Sequence, residues 1–285
     1  MKMMTEEEKM YFLDFSSRMK KNTKKDYLDK LNELKQYIKK DLKNLKIEEA
    51  RDYFEEIEDK YAKSTREKIY SYFHSFYEYL LDRELILENP LEKIEKTRVT
   101  REKNRDSVMS ISEVTHLLEA LEKVSIRDRA IIETLIFTGC IVSEIPEIRW
   151  SDLEVDENQN YFISLGRLRR RRILKVKKRL FDTYEKYGLM LGLNPVFEQR
   201  EDKLFAGQGR KSITDRTVRI IVKKVMKSID LEKYSARDLR HTFAALALYA
   251  GTPEEEVSRQ LGWSAKNYGI RYKYVLNLID DTSID

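Results

Sequence analysis

The chain has 285 residues, enough for two domains with a sizeable core, and its 41% hydrophobic and 37% charged residues exclude a low-complexity or membrane-embedded chain. With 9 Gly and 4 Pro it has few turn formers, which favours helix, and its net charge of +5 permits a polyanionic partner without requiring one. One cysteine excludes an internal disulfide and three histidines argue against a His-rich metal cage; without a membrane-length apolar run or a signal-peptide core, the expectation is a reduced, cytoplasmic protein using no metal and no cofactor.

In chain order, residues 5–18 carry acidic and apolar residues at helical spacing and predict a short helix. The run Lys20-Lys21-Asn22-Thr23-Lys24-Lys25 interrupts it. Thr23 is a candidate N-cap for a second helix with Tyr27, Leu28, Leu31, Leu34, Tyr37 and Ile38 on one face. A third helix is predicted over 47–63. Ser64-Thr65 is read as the cap of a fourth, whose stripe of Ile69, Tyr72, Phe73, Phe76, Tyr77 and Leu80 is core by burial preference. Pro90, in Glu88-Asn89-Pro90, stops the run by pushing its predecessor out of helix. Residues 96–107 are polar, mostly basic and aperiodic, and read as a linker between a domain at 1–95 and a second at 108–285.

In the second domain, Ser112 is read as the cap of a helix with Val114, Leu117, Leu118 and Leu121 on one side. Residues 127–137 form a strongly apolar helix ending at Thr138-Gly139. Tyr161 to Leu165 alternates as a strand, Gly166 opens a turn, and residues 169–176 return, so a small sheet is expected near 155–177. From Arg167 to Lys178 there are eight Lys or Arg and no acid, which exceeds ordinary surface dressing and points to phosphate contact by Arg169, Arg170, Arg171 and Arg172. Helices near 181–187 and 214–226 follow, with Lys223 and Lys224 late in the second.

Residues 234–275 carry the chemistry. They offer a basic cluster (Arg237, Arg240, His241), an apolar helix, a glycine-containing turn, a second helix, Leu261-Gly262-Trp263 and, nine residues after Trp263, Tyr272. Arginine forks match phosphate oxygens, and a phenol is a nucleophile able to form a covalent intermediate. Each residue alone has a plainer reading. Tyr272 and Trp263 would be packing residues, Arg240 a structural partner of Asp238 or Glu144, His241 a satisfied core histidine, and Cys140 a buried inert thiol.

The ordered set reverses those readings. Arg237-Asp238-Leu239-Arg240-His241-Thr242-Phe243-Ala244 and Leu261-Gly262-Trp263-Ser264 with Tyr272 resemble the second and third boxes of the tyrosine recombinase (phage integrase) family. Thr138-Gly139-Cys140-Ile141-Val142-Ser143-Glu144 resembles the first box, with one departure: Ile141 stands where the family has its first catalytic arginine. Arg149 is two helical turns away and is no substitute by register. Two further positions depart, Arg167 for the family's lysine and Arg237 for its histidine.

The resemblance covers nearly the whole chain. It implies a mainly α protein with a small antiparallel sheet: an N-terminal helical core-binding (SAM-like) domain and a tyrosine recombinase catalytic domain. It implies double-stranded DNA as partner, backbone contacts from Lys21, Asn22, Lys24 and Lys25, and self-association of a free monomer into a tetramer on two duplexes. By the same resemblance Tyr272 is the nucleophile, with Arg240, Trp263, Arg237 and Arg167 around the phosphate. The function implied is site-specific recombination or integration through a 3′-phosphotyrosyl link. The three departures leave a cleavage-impaired, DNA-binding structural or regulatory protein as the alternative, and a nicking enzyme without recombination as a third.

Overall fold

The computed structural model describes residues 4–94, 107–166, 171–193, 196–197, 200–207 and 212–263. The chain divides into two compact units, Met1–Glu102 and Lys103–Asp285. The expected class, helix with a small antiparallel sheet, is what the described residues form.

The first unit packs α1 (Glu6–Phe15), α2 (Lys21–Ile38), α3 (Ile47–Glu56) and α4 (Lys63–Asp82) around Phe12, Leu31, Leu34, Tyr53, Phe73, Phe76 and Tyr77. One buried charge cluster fastens it. Lys35 donates to both oxygens of Glu8 at 2.8 Å, and Glu8 also accepts the Leu42 N–H at 2.7 Å and the Thr5 N–H at 2.7 Å. A buried carboxylate is tolerated here because each oxygen has a donor.

The helix starts differ from expectation. Helix α2 begins at Lys21 with Lys20 as its N-cap, so Thr23 lies in the first turn and caps nothing. Helix α4 begins at Lys63 after Ala62, ahead of Ser64 and Thr65. The third helix stops at Glu56 rather than running to 63, because Ile57 turns into the core while Tyr61 hydrogen-bonds Glu33 of α2 at 3.0 Å.

In the second unit, α5 (Ile111–Ala120) is capped by Ser110 and not Ser112. Ser110 Oγ accepts from Glu113 N at 3.2 Å while the Glu113 carboxylate accepts from Ser110 N at 2.8 Å, a reciprocal capping box. Helix α6 (Ile126–Thr138) is buried all round and packs against α7 (Lys178–Met190) and α9 (Ala236–Tyr249). Its one acid in the core, Glu133, is satisfied by Thr183 Oγ1 at 2.6 Å and Arg129 Nε at 3.0 Å. The remaining helices are α8 (Asp215–Lys227) and α10 (Glu254–Leu261).

The sheet is antiparallel in the order β1 (Leu153–Val155), β2 (Tyr161–Leu165), β3 (Arg172–Val176), pairing Leu153 with Ile163 and Ile163 with Leu174. Period-two alternation turns Ile163, Leu165, Leu174 and Val176 inward. Strand β1 is a third member that the sequence pattern did not announce; its three residues are too few to show alternation.

The C-terminal end of α6 sets the geometry of everything that follows. Gly139 caps it at φ +60°, and a Cβ there would lie 2.5 Å from Phe243 Cδ1 and 2.6 Å from Leu261 Cδ2. Glycine thus gives both the left-handed cap and the close approach of α9 and α10 to this helix end.

Candidate active site

Three chain segments converge at this helix end: the turn 139–144, helix α9 and the C-terminus of α10. Helix α9 is capped by Ser235, whose own N–H and hydroxyl both donate to Asp238, at 2.8 and 2.7 Å. Asp238 is thereby committed to the cap. Arg240 Nη1 donates to the Gly139 carbonyl at 2.6 Å and Nη2 to the Leu261 carbonyl at 2.7 Å. Both acceptors belong to helix C-termini, where terminal carbonyls lack intrahelical donors and the dipole favours a cation. A planar fork with two such anchors has a fixed orientation.

Trp263 comes to the same place through backbone chemistry. Gly262 adopts φ +64°, its N–H reaching the Arg259 carbonyl at 3.0 Å and the Trp263 N–H reaching Ser258 O at 2.9 Å. This left-handed helix stop turns the chain so that the Trp263 ring lies 5.8 Å from the Arg240 guanidinium. Arg237 lies in the first turn of α9, exposed, one turn before Arg240. Burial first, then the neighbouring Arg237 charge, holds the His241 imidazole below its ordinary pKa, so it is neutral at pH 7. Cys140 is buried, its thiol pushed up to about 12 chiefly by burial, and is inert.

Ile141 is 45% exposed, and its backbone N–H donates to Glu144 Oε2 at 3.0 Å. A hydrocarbon side chain at this position offers a phosphate no donor. The expectation for Arg172 is corrected by its surroundings. Its side chain is 9% exposed, its Nη1 and Nη2 donate to the two oxygens of Glu144 at 2.6 and 2.9 Å, and Nε donates to Gln260 O at 2.5 Å. A guanidinium so occupied is a structural tie and not a phosphate contact. Arg171 beside it is exposed, 3.4 Å from Ser164 Oγ. A pocket of about 480 Å³ under this hairpin is lined by Glu144, Glu147 and Asp152 as well as Arg149 and Arg171, a charge mixture unsuited to a polyanion.

Tyr272, Arg167, Arg169 and Arg170, residues 96–106 of the expected linker, and the tail after Tyr272 lie outside the described residues. In the first unit Lys21, Asn22 and Lys25 are exposed at the start of α2, while Lys24 is half-buried with its ammonium 5.9 Å from the Phe12 ring.

One basic surface extends beyond the Lys223 and Lys224 that the sequence pattern singles out. Helix α8 buries Val218, Ile221, Val222, Val225 and Met226 and exposes Arg216, Arg219, Lys223, Lys224 and Lys227. The spacing 216, 219, 223, 227 runs along one helical face, a signal that periodicity carries. Of these, Arg219 has a weak exposed pairing with Asp215 at 3.7 Å. The one group of metal-ligand type among the described residues, His74, Glu78 and Glu92, is in the first unit and internally bonded, His74 to Glu92 at 3.0 Å and Glu78 to Asn89 at 2.6 Å. Among the described residues no helix is long and apolar enough to cross a membrane.

This geometry can be set beside known proteins. The phage integrase family model matches residues 107–277, and that of the phage integrase N-terminal SAM-like domain matches residues 10–84. The tyrosine recombinase XerC of Staphylococcus saprophyticus is 26% identical over 276 residues, covering 94% of this chain and 91% of that protein. XerC of Leptospira interrogans serovar copenhageni is 29% identical over 225 residues, 76% of this chain and 70% of its own. Among solved structures, the XerH site-specific recombinase bound to a palindromic difH substrate superposes with a TM-score of 0.74 at 19% identity, covering 90% of this chain and 77% of that one. A lambda integrase dimer bound to a COC′ core site gives a TM-score of 0.70 at 16% identity over 93% and 75%.

Proposed function

The chain belongs to the phage integrase family, and from that premise we propose that it is a site-specific DNA recombinase working through a 3′-phosphotyrosyl intermediate. The observation that carries the reading is the placement of Arg240 and Trp263. Fixed by the carbonyls of Gly139 and Leu261, the guanidinium stands beside the indole nine residues ahead of Tyr272 in sequence.

In this reading the Tyr272 phenol oxygen attacks a DNA phosphorus, the bond from phosphorus to the 5′ oxygen breaks, the phenol proton is lost, and the departing oxygen takes one up to leave a 5′-hydroxyl. Charge builds on the non-bridging oxygens. Preorganised donors are worth most at that moment, because they need no reorganisation as the charge forms. Arg240 and the Trp263 indole N–H supply them, and the exposed Arg237 restores part of the positive charge that Ile141 removes. Arg167 contributes hydrogen bonds in place of a proton, since a guanidinium stays protonated below about pH 12. A 5′-hydroxyl from the second duplex reverses the step, conserving bond energy without ATP or metal.

The partner is double-stranded DNA, gripped by the basic face of α8, by Arg169, Arg170 and Arg171, and by Lys21, Asn22, Lys24 and Lys25. The assembly is a tetramer formed on two duplexes from free monomers, in the cytoplasm. The XerH and lambda integrase complexes with DNA, and the lambda integrase tetramer on a Holliday junction, support this by likeness of fold. A plasmid bearing two copies of the DNA flanking the gene tests it. Wild type recombines the copies and Tyr272→Phe does not; duplex binding without recombination by wild type would leave a DNA-binding protein that has lost strand cleavage.

A further inference from the structure

Two guanidinium groups tie the same two chain segments together, and only one of them belongs to the site described above. Arg240 joins the Gly139 carbonyl to the Leu261 carbonyl. Arg172, from β3, joins Glu144, five residues beyond Gly139, to the carbonyl of Gln260, the residue before Leu261. Glu144 in turn accepts the Ile141 N–H at 3.0 Å and so fixes the turn itself. The left-handed turn that swings Trp263 into place rests on the Arg172 side chain: a Cβ built on Gly262 would meet Arg172 Nη1 at 3.6 Å and Cδ at 3.7 Å.

We propose that Arg172 is a positioning residue: it fixes the end of α10, and with it Trp263 and the Leu261 carbonyl that orients Arg240, relative to the turn 139–144 and the basic hairpin. The hairpin, the missing-arginine turn and the indole donor are thereby held by one side chain. The geometry requires the fork. Three N–H groups serve three acceptors in fixed directions, which a lysine ammonium at the end of a flexible stem does not reproduce. Glu144, half-buried and losing the two Arg172 N–H groups among its three donors, and the Gln260 carbonyl would be left underbonded, and the α10 end would relax. The consequence for strand cleavage rests on the recombinase reading; the consequence for Trp263 does not.

The full chain has two tryptophans, Trp150 and Trp263, so Trp150→Phe leaves Trp263 as the single reporter and Trp263→Phe leaves Trp150, 3% exposed in the core. Acrylamide quenching is measured for Arg172→Lys, Arg172→Met and Glu144→Gln in each background. The expected result is increased quenching of Trp263 in all three, with Trp150 unchanged and thermal unfolding still cooperative. Unchanged Trp263 quenching in the two Arg172 variants overturns the proposal. So does parallel exposure of Trp150, or loss of cooperative folding in every variant, since either makes Arg172 a general stability residue. On a nicked DNA substrate, Arg172→Lys lowers single-turnover cleavage on the order of a hundredfold, the scale of a misplaced reacting group, with DNA affinity little changed. A wild type that does not cleave removes the recombinase reading while the quenching result stands by itself.

Discussion

Ile141→Arg is a perturbation whose outcome the proposed phosphate seat predicts in sign and size. Ile141 is 45% exposed and its backbone is already pinned by Glu144, so an arginine side chain enters without burying charge or displacing core. The folding cost is that of an ordinary surface exchange, within about 0.5 kcal/mol. The gain is a charged donor on the turn whose Gly139 carbonyl anchors Arg240. Removing one preorganised donor from such a site costs on the order of 10²–10³ in rate, or about 2.7–4 kcal/mol, so adding one back should return a similar factor. The assay is single-turnover formation of the covalent adduct on a nicked duplex, with wild type, Ile141→Arg and Ile141→Arg/Tyr272→Phe compared at equal fractional DNA occupancy. Faster cleavage that vanishes in the double variant is the expected result. An Ile141→Arg protein that folds, binds DNA and cleaves no faster than wild type would refute the reasoning, because the turn would then not face the reacting phosphate.

Three further outcomes follow from particular contacts. Gly139→Ala pairs a left-handed backbone, φ +60°, with a Cβ 2.5 Å from Phe243 and should destabilise by about 2–5 kcal/mol, read as a shift in denaturant midpoint at constant slope. Burial works to raise the Glu144 carboxyl, but the Arg172 hydrogen bonds and charge outweigh it and hold the pKa below the ordinary 4.5. A carboxyl depressed in the folded state contributes stability above its unfolded value and loses it as pH falls through the folded one. The thermal stability gap between wild type and Glu144→Gln should therefore be full above pH 4.5 and narrow on further acidification; a gap that does not narrow contradicts the ion pair. Arg216→Ala and Lys223→Ala on α8 should each flatten the slope of log affinity against log salt by about one, measured by gel shift across a salt series, and an unchanged slope removes that face from the DNA interface.

The sequence carried the fold class, the β2 strand ends and the three ordered boxes, because each depends on local pattern: period-two alternation, helical stripes, or fixed spacing within one segment. It misplaced helix starts where several hydroxyls compete. Ser110 and Ser112 flank the first residue of α5, and only the reciprocal bond with Glu113 selects the first as the cap. Thr23 and Ser64 sit in first turns whose boundaries are set by where the apolar face must reach the core. Arg172 was the larger error. Five neighbouring arginines from 167 to 172 look alike in sequence, and what separates the last of them is Glu144, 28 positions earlier, and Gln260, 88 positions later. Such pairings belong to tertiary structure. The α8 stripe, by contrast, is legible in the sequence at the 3.6 period, because Arg216, Arg219, Lys223 and Lys227 fall on one face.

The central claim, a working nucleophile at Tyr272 beside an Arg240 and Trp263 phosphate seat, meets its most direct test in a suicide-substrate experiment. A nicked duplex from the DNA flanking the gene is incubated with the protein, digested with nuclease and protease, and the nucleotide-bearing peptide is identified by mass. The account predicts a covalent DNA adduct on Tyr272, absent from Tyr272→Phe and strongly reduced in Arg240→Ala. Intact binding to that duplex with no adduct, or an adduct on another residue, would contradict it.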